Sequence, residues 1–248
     1  MLGIDELYKE LKSSNFLVDT DSRKIRKGSV FFAIKGDNFN GNEFIGDALK
    51  NGSRLAISDE ENPNLNDNHN VIKVSNSLST LQELSKFHRK KCNAKVIGIT
   101  GSNGKTTTKE LIYSVLSSNF KTICTTGNFN NHIGLPLSLF EIRHDTEFAV
   151  IEMGANNFGE IAFLTSLCEP DYGYITNFGK AHLEGFINID GVIKAKTELY
   201  QWIIKNDKTL LINGEDKNQK KFDNHKHIMF GHSENFHYNF RENNNDCV

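Results

Sequence analysis

A lysine and two threonines, Lys105-Thr106-Thr107, follow a glycine-bearing turn, Thr100-Gly101-Ser102-Asn103-Gly104. These residue types suit a nucleoside triphosphate. Glycines let backbone N–H groups turn toward phosphate oxygens with no Cβ in the way. Lys105 offers a point charge to the β- and γ-phosphates, and the Thr106 hydroxyl is a ligand for Mg²⁺. The spacing departs from the standard nucleotide loop, because five residues rather than four separate Gly98 from Gly104, so the compact motif is TGSNGKT. A bare turn would explain the glycines. It would not explain a strand, a loop, Lys-Thr and a helix in that order.

Other residues carry chemistry with plainer alternatives beside it. Glu152 ends the apolar run Phe148–Ile151, where a parallel sheet presents ligand-binding groups, and a carboxylate there suits Mg²⁺. A charge pair with a neighbouring lysine is the alternative. His182, in NFGKAHLE, reads alone as a surface or hydrogen-bonding histidine, and Lys196, in KAKTELY, as a solvated lysine on a helix. Ser22 and Arg23 supply a hydroxyl and a planar cation suited to uridine or diphosphate oxygens, or else form a capped turn with a surface arginine. Asn128, Asn130 and Asn131 offer amides beside the phosphate loop, or form a polar turn. No Ser–His–Asp arrangement suggests a covalent nucleophile.

The elements that must position these residues follow from periodicity and turn chemistry. Ile4–Leu11 reads as a short amphipathic helix, Val30–Ile34 as a strand, and Phe44–Leu49 as a helix ending at Asn51-Gly52. Leu55–Ile57 and Val71–Val74 read as strands on either side of a polar loop, Asp59–Asn70. Residues 1–76 thus make a small α/β domain, and the amphipathic helix Ser77–Lys90 lies in a linker over residues 77–93. From residue 94 the pattern becomes strand, loop, helix. Strands are expected at Val96–Thr100, Thr122–Thr125, Phe148–Met153, Tyr172–Thr176 and Thr209–Asn213, with a helix at Thr108–Leu116 after the phosphate loop. Such alternation predicts an α/β fold with a mostly parallel sheet flanked by helices. The rhythm fades after Asp216. His227–Phe230 is a candidate last strand, and FRENNNDCV reads as frayed.

Composition bounds the rest. The 248 residues suit one large domain or two ordinary ones, and 38% hydrophobic with 24% charged residues describes a globular chain with a real core. A net charge of −2 gives no basic surface for nucleic acid. Four widely spaced cysteines, Cys92, Cys124, Cys168 and Cys247, contain no CxxC pair and read as reduced thiols. MLGIDELYKELKSS lacks a basic and an apolar signal region, and no apolar run approaches the ~20 residues of a membrane span. The expected location is the cytoplasm.

TGSNGKTTTKE, followed in order by TGNFNNHIGLPLSL, IEMGANNFGEI and ITNFGKAHLEGF, resembles the Mur ligases, and within them the branch that adds D-alanyl-D-alanine. The resemblance covers most of residues 20–213. It implies a small N-terminal UDP-precursor-binding domain followed by a P-loop-type ATP-binding domain over residues 94–248. It also implies a cytoplasmic, monomeric ligase of peptidoglycan synthesis, serving cell-wall growth, cell shape and division. Its substrates would be ATP, UDP-N-acetylmuramoyl-tripeptide and D-alanyl-D-alanine. The precursor carboxylate attacks the γ-phosphorus to form an acyl phosphate, which the amine then displaces. Lys105, Glu152, His182 and Lys196 become the catalytic set. Thr100–Thr107 and Asn177 take ATP, and Ser22, Arg23, Asn128, Asn130 and Asn131 face the precursor. Two Mg²⁺ ions are implied, held by Thr106, Glu152, His182 and Lys196 as its CO₂-derived carbamate. Carbamylation needs a neutral amine, so the lysine pKa must fall from ~10.4. Lys196 is preferred to Lys194 because it directly precedes the Glu-x-aromatic pattern.

Asn40 and Asn42 stand where relatives commonly carry Asp and His, which departs from the family's uridine contacts. The sequence contains no GRHN-type segment and no third α/β domain, so the central domain is expected to be incomplete and the chain to bind nucleotide weakly and ligate poorly. The competing readings are a sibling ligase that adds a diamino acid, a folylpolyglutamate-synthase relative, and a non-catalytic nucleotide- or precursor-binding piece.

Overall fold

The computed structural model describes residues 2–61, 68–179 and 186–239, which form two compact units. The first contains residues 1–93 and 132–144, and the second residues 94–131 and 145–248. Both are α/β.

In the first unit four strands pair in parallel: β1 (Val18–Asp19), β2 (Val30–Phe32), β5 (Leu55–Ser58) and β6 (Val71–Lys73), in the order β1-β2-β5-β6. A small antiparallel hairpin joins β3 (Lys35–Gly36) to β4 (Phe39–Asn40). The near-continuous apolar run around β2 is explained by burial on both faces, as parallel sheets require. Val30 and Phe32 enter one core with Leu7, Leu11, Ile57, Leu81 and Leu84. Phe31 and Ala33 enter a second with Ile45, Ala48 and Ala56. Burying each phenylalanine side chain contributes roughly 1.5–3 kcal/mol.

Helices α1 (Ile4–Ser13), α2 (Ile45–Lys50) and α3 (Ser77–Lys91) cover this sheet. Here the structure differs from the linker expected over 77–93. Leu81 and Leu84 make α3 a wall of the first core, and helix α5 (Gly134–Phe140) adds Phe140 and Leu137 to the same cluster. The Gln82 amide donates to the His132 carbonyl, and His88 Nε2 lies 2.8 Å from the Ile142 carbonyl. A stretch that lies inside the second domain by sequence therefore packs in the first unit.

The second unit is a seven-stranded sheet in the order β13-β12-β11-β10-β7-β9-β8, with every described pair parallel. Its strands are β7 (Lys95–Thr100), β8 (Thr122–Cys124), β9 (Phe148–Glu152), β10 (Tyr172–Ile175), β11 (Thr209–Asn213), β12 (His227–Gly231) and β13 (Tyr238–Asn239). Helices α4 (Lys105–Ser117), α6 (Glu160–Cys168), α7 (Ile189–Lys205) and the short α8 (Lys217–Lys220) connect them. Strand order reverses around β7: the chain leaves to the edge at β8, returns at β9, then crosses to β10. Ligand-binding crevices in such sheets open at the carboxyl ends of strands beside that reversal. Three of these ends lie level, because Ile99 pairs with Glu152 and Thr100 with Ile175. Among the described residues no helix is long and apolar enough to cross a membrane.

Candidate active site

The phosphate loop leaves β7 and turns into α4 without delay. Gly104 adopts φ +74°, a left-handed conformation open to glycine, so the helix begins at Lys105 rather than at Thr108 as its sequence suggests. No side chain caps this end, and the first-turn amides have no intrahelical carbonyl to meet. Together with the positive end of the helix dipole they are suited to an anion. Thr106 and Thr107 are exposed there, with no hydrogen bond to either hydroxyl among the described residues.

The segment after β10 braces the loop. Asn177 accepts from the Asn103 amide through Oδ1 at 3.1 Å and returns a bond from Nδ2 to the Asn103 carbonyl at 2.9 Å. Thr176 Oγ1 donates to the same carbonyl, and Ser102 Oγ to the Gly179 carbonyl at 3.0 Å. Asn177, Ser102 and the Asn103 backbone therefore shape the loop. Thr100 is wholly buried, and its hydroxyl donates to the Met153 carbonyl at 2.9 Å, so its side chain ties β7 to the end of β9 instead of facing a ligand.

Gly101 is the tightest point. Its φ is +147°, and a Cβ there would lie 2.0 Å from Thr176 Oγ1. Gly101→Ala is expected to cost roughly 2 kcal/mol or more from strain and overlap, seen as a lowered urea midpoint, and to remove nucleotide binding. A variant that keeps both properties would show that the loop tolerates another shape.

Lys105 Nζ folds back onto the loop, donating to the carbonyls of Gly101 at 2.8 Å and Ser102 at 3.3 Å. Burial lowers its pKa, and the nearby negative charge of Glu152 opposes that shift. Glu152 is the last residue of β9 and 1% exposed. Its Oε1 accepts from Asn130 Nδ2 at 2.8 Å, and its backbone amide donates to Thr125 Oγ1 at 3.0 Å. Its Oε2 is buried with no partner. A carboxylate oxygen buried without a donor is costly, so a cation is the group this position fits. Asn130, read from sequence as a precursor contact, spends its amide on this carboxylate. Asn128 and Asn131 are exposed on the same loop.

Two lysines on α7 are sorted by the fold. Lys194 is exposed, its ammonium 5.7 Å from the Phe158 ring centre. Lys196 is 2% exposed, and its Nζ lies 5.5 Å from the Phe186 ring centre. Burial, aided by the Lys105 charge, lowers the Lys196 pKa to about 8, against the pull of Glu160 and Glu198. Glu198 is already engaged: it accepts from the amides of Gly159 and Ala162 at 2.8 and 2.9 Å, at the start of α6. His182 lies outside the described residues.

One neighbour was not singled out by sequence. Lys109, one turn after Lys105, is wholly buried and donates to the Thr125 carbonyl at 2.5 Å. Alternating charged and hydroxyl residues in KTTTKE look like a solvated face, and no local signal marks the burial.

In the first unit, Ser22 and Arg23 border a cavity of about 560 Å³ with Asp47, Asn51 and two phenylalanines. Phe39 and Phe44 stack with centroids 5.2 Å apart and planes 6° off parallel. Ser22 is buried, while Arg23 is exposed and forms a two-pronged pair with Asp21, at 2.8 and 2.9 Å. The hydrogen bond from Arg23 holds the Asp21 carboxyl below its ordinary range. Asn40 and Asn42 bond to each other, and Asn42 also reaches Asp59 at 2.9 Å. The two asparagines that depart from the family pattern are therefore spent on internal order.

The Mur ligase middle domain matches residues 99–247, and the Mur ligase family, catalytic domain, matches residues 17–89. The chain is similar to the UDP-N-acetylmuramoyl-tripeptide–D-alanyl-D-alanine ligase of Bacillus subtilis, 41% identical over 80% of this chain and 43% of that protein. The ligase of the same name from Haemophilus influenzae is 38% identical over 84% of this chain and 47% of its own length. The chain thus spans less than half the length of these curated relatives. Among solved structures, MurF from Acinetobacter baumannii superposes with a TM-score of 0.79 at 31% identity, covering 91% of this chain and 53% of that one. MurF ligase from Thermotoga maritima, in complex with ADP, gives 0.77 at 32%, covering 88% and 50%. With a phosphate loop, a level row of strand ends and these matches in agreement, the chain belongs to the Mur ligase family.

Proposed function

We propose that this chain forms the precursor-binding and ATP-binding parts of a ligase that joins D-alanyl-D-alanine to UDP-N-acetylmuramoyl-tripeptide in peptidoglycan synthesis. The observation that carries this is the unpaired, buried Oε2 of Glu152, level with a phosphate loop whose helix amides are open. The names of the relatives supply the substrates, and the complex of the Thermotoga ligase with ADP supports nucleotide use.

The residues divide the work by charge. Lys105 exchanges its two loop carbonyls for phosphate oxygens, while the first-turn amides hold the triphosphate in line. Thr106, Glu152 and Lys196 as a carbamate would hold Mg²⁺ in two sites, with His182 as a further ligand. Mg²⁺ held there would supply positive charge to offset that of the triphosphate and the precursor carboxylate. The stacked Phe39 and Phe44, with Ser22 and Arg23 beside them, offer apolar faces and polar donors to a uridine diphosphate. The reaction belongs in the cytoplasm, with the enzyme as a monomer.

Calorimetric titration with a non-hydrolysable ATP analogue tests this, run with Mg²⁺ and again with EDTA. Mg²⁺ is expected to tighten binding, and Glu152→Gln to remove roughly ten- to a hundredfold of that gain. Equal affinity in the two buffers would overturn the reading. Titration with UDP-linked tripeptide against UDP-linked dipeptide separates it from the diamino-acid branch, since only a ligase acting after the third residue prefers the tripeptide.

A further inference from the structure

We infer that Lys109 is a positioning residue that sets the geometry of Glu152 through Thr125. This rests on the reading of Glu152 as a cation ligand. The Lys109 side chain is wholly buried, and its Nζ donates to the Thr125 carbonyl at 2.5 Å and lies 2.9 Å from Glu110 Oε1, an exposed carboxylate. Thr125 is itself wholly buried, and its Oγ1 accepts from the Glu152 amide at 3.0 Å. The Thr125 amide donates to the Val150 carbonyl at 3.0 Å. One residue thus binds α4 on one side and the end of β9 on the other.

The loop that Thr125 opens also carries the second constraint. Asn130 Nδ2 holds Glu152 Oε1 at 2.8 Å, and the Asn130 carbonyl accepts from the Gly154 amide at 2.8 Å. A Cβ at Gly154 would lie 3.1 Å from the Asn130 side chain, so the approach is close. The backbone and one oxygen of Glu152 are fixed, and the other oxygen is left alone. Lys105 and Lys109, four residues apart, lie on one face of α4. The first addresses the phosphate loop and the second addresses the strand end from which Glu152 is oriented. The helix that receives the triphosphate is thereby tied to the carboxylate that receives its cation. Partners of this kind, which orient a ligand without touching the metal, commonly change affinity by roughly ten- to a hundredfold when removed.

The test measures binding of a non-hydrolysable ATP analogue to the full chain, with Mg²⁺ and with EDTA, for wild type, Lys109→Met, Thr125→Val and the double variant. Lys109→Met keeps affinity in EDTA within about threefold and loses roughly tenfold of the Mg²⁺-dependent gain. Thr125→Val, which keeps the backbone carbonyl and removes only the hydroxyl, loses a similar share, and the double variant loses less than the sum. A general packing defect would lower both affinities together. Should Lys109→Met fail to fold, Thr125→Val against Thr125→Ser carries the same comparison, with the serine restoring the gain. An undiminished Mg²⁺ gain in Lys109→Met or Thr125→Val overturns the inference while leaving the site reading intact. Absence of any gain in wild type overturns the site reading itself.

Discussion

Lys105→Met leaves the chain folded and weakens binding of a magnesium-bound ATP analogue by about a hundredfold, the scale of losing a charged donor from a preorganised anion site. The methionine keeps the packed stem and removes only the ammonium. In the free protein that ammonium is held by two carbonyls of its own loop, at 2.8 and 3.3 Å. Carbonyls are weaker partners for a cation than phosphate oxygens, so the exchange on binding is favourable, and the loop is already closed around the place where it occurs. The loop itself does not depend on Lys105. Asn177, Thr176 and Ser102 lace it to the segment after β10, and Gly101 and Gly104 provide its backbone angles. Denaturant midpoints of wild type and variant are therefore expected to agree closely, while the titrations separate. A variant binding within threefold of wild type would mean that the amides alone hold the phosphates.

Part of this candidate site could be picked out in the sequence, for a local reason. The phosphate loop is a contiguous device, so strand, glycine turn, Lys-Thr and helix must all be written side by side. Glu152 could be singled out because it ends an apolar strand, with a lysine charge pair as the other reading, and in the fold its Oε2 is buried without a partner. Lys196 and Lys194 could be ranked only by resemblance, and burial now separates them, because α7 turns Lys196 inward with Leu199 and Ile203. Other features were not legible. Asn130 reads as a ligand contact until the fold brings Glu152 within 2.8 Å, 22 residues on. Lys109 reads as solvated until Thr125 closes over it. The return of residues 132–144 to the first unit depends on Phe140 and Leu137 meeting Leu81 and Leu84, a match between distant stretches that no local period announces. Periodicity reports which face of an element is apolar, but the partner that covers it comes from tertiary approach.

Lys196 is where stability and function pull apart, and the expected result is that Lys196→Met is more stable than wild type at neutral pH in metal-free buffer. The sign follows from the two proton affinities. In the folded chain burial lowers the pKa to about 8, against an ordinary value of 10.5 for the unfolded chain. Below pH 8 both states carry the proton, and the folded state bears the whole cost of a desolvated ammonium, on the order of 3 kcal/mol. Between pH 8 and 10.5 the folded state has released its proton and the unfolded state has not, so wild-type stability rises with pH relative to the methionine variant. Above that window the two curves run together. Melting temperatures across pH 7 to 11 measure this, and parallel curves throughout would refute it. The same shift would favour reaction of the amine with CO₂. At pH 7.5 a pKa of 8 leaves roughly a quarter of the amine neutral, against about a thousandth for an ordinary lysine. Bicarbonate is therefore expected to stabilise wild type and not Lys196→Met, because a ligand that binds only the folded state raises its stability. Carbamylation would also turn a cation that repels Lys105 into an anion that attracts it and a bound Mg²⁺. Labelled bicarbonate giving no carbamate carbon signal in wild type would show that the lowered pKa serves some other end.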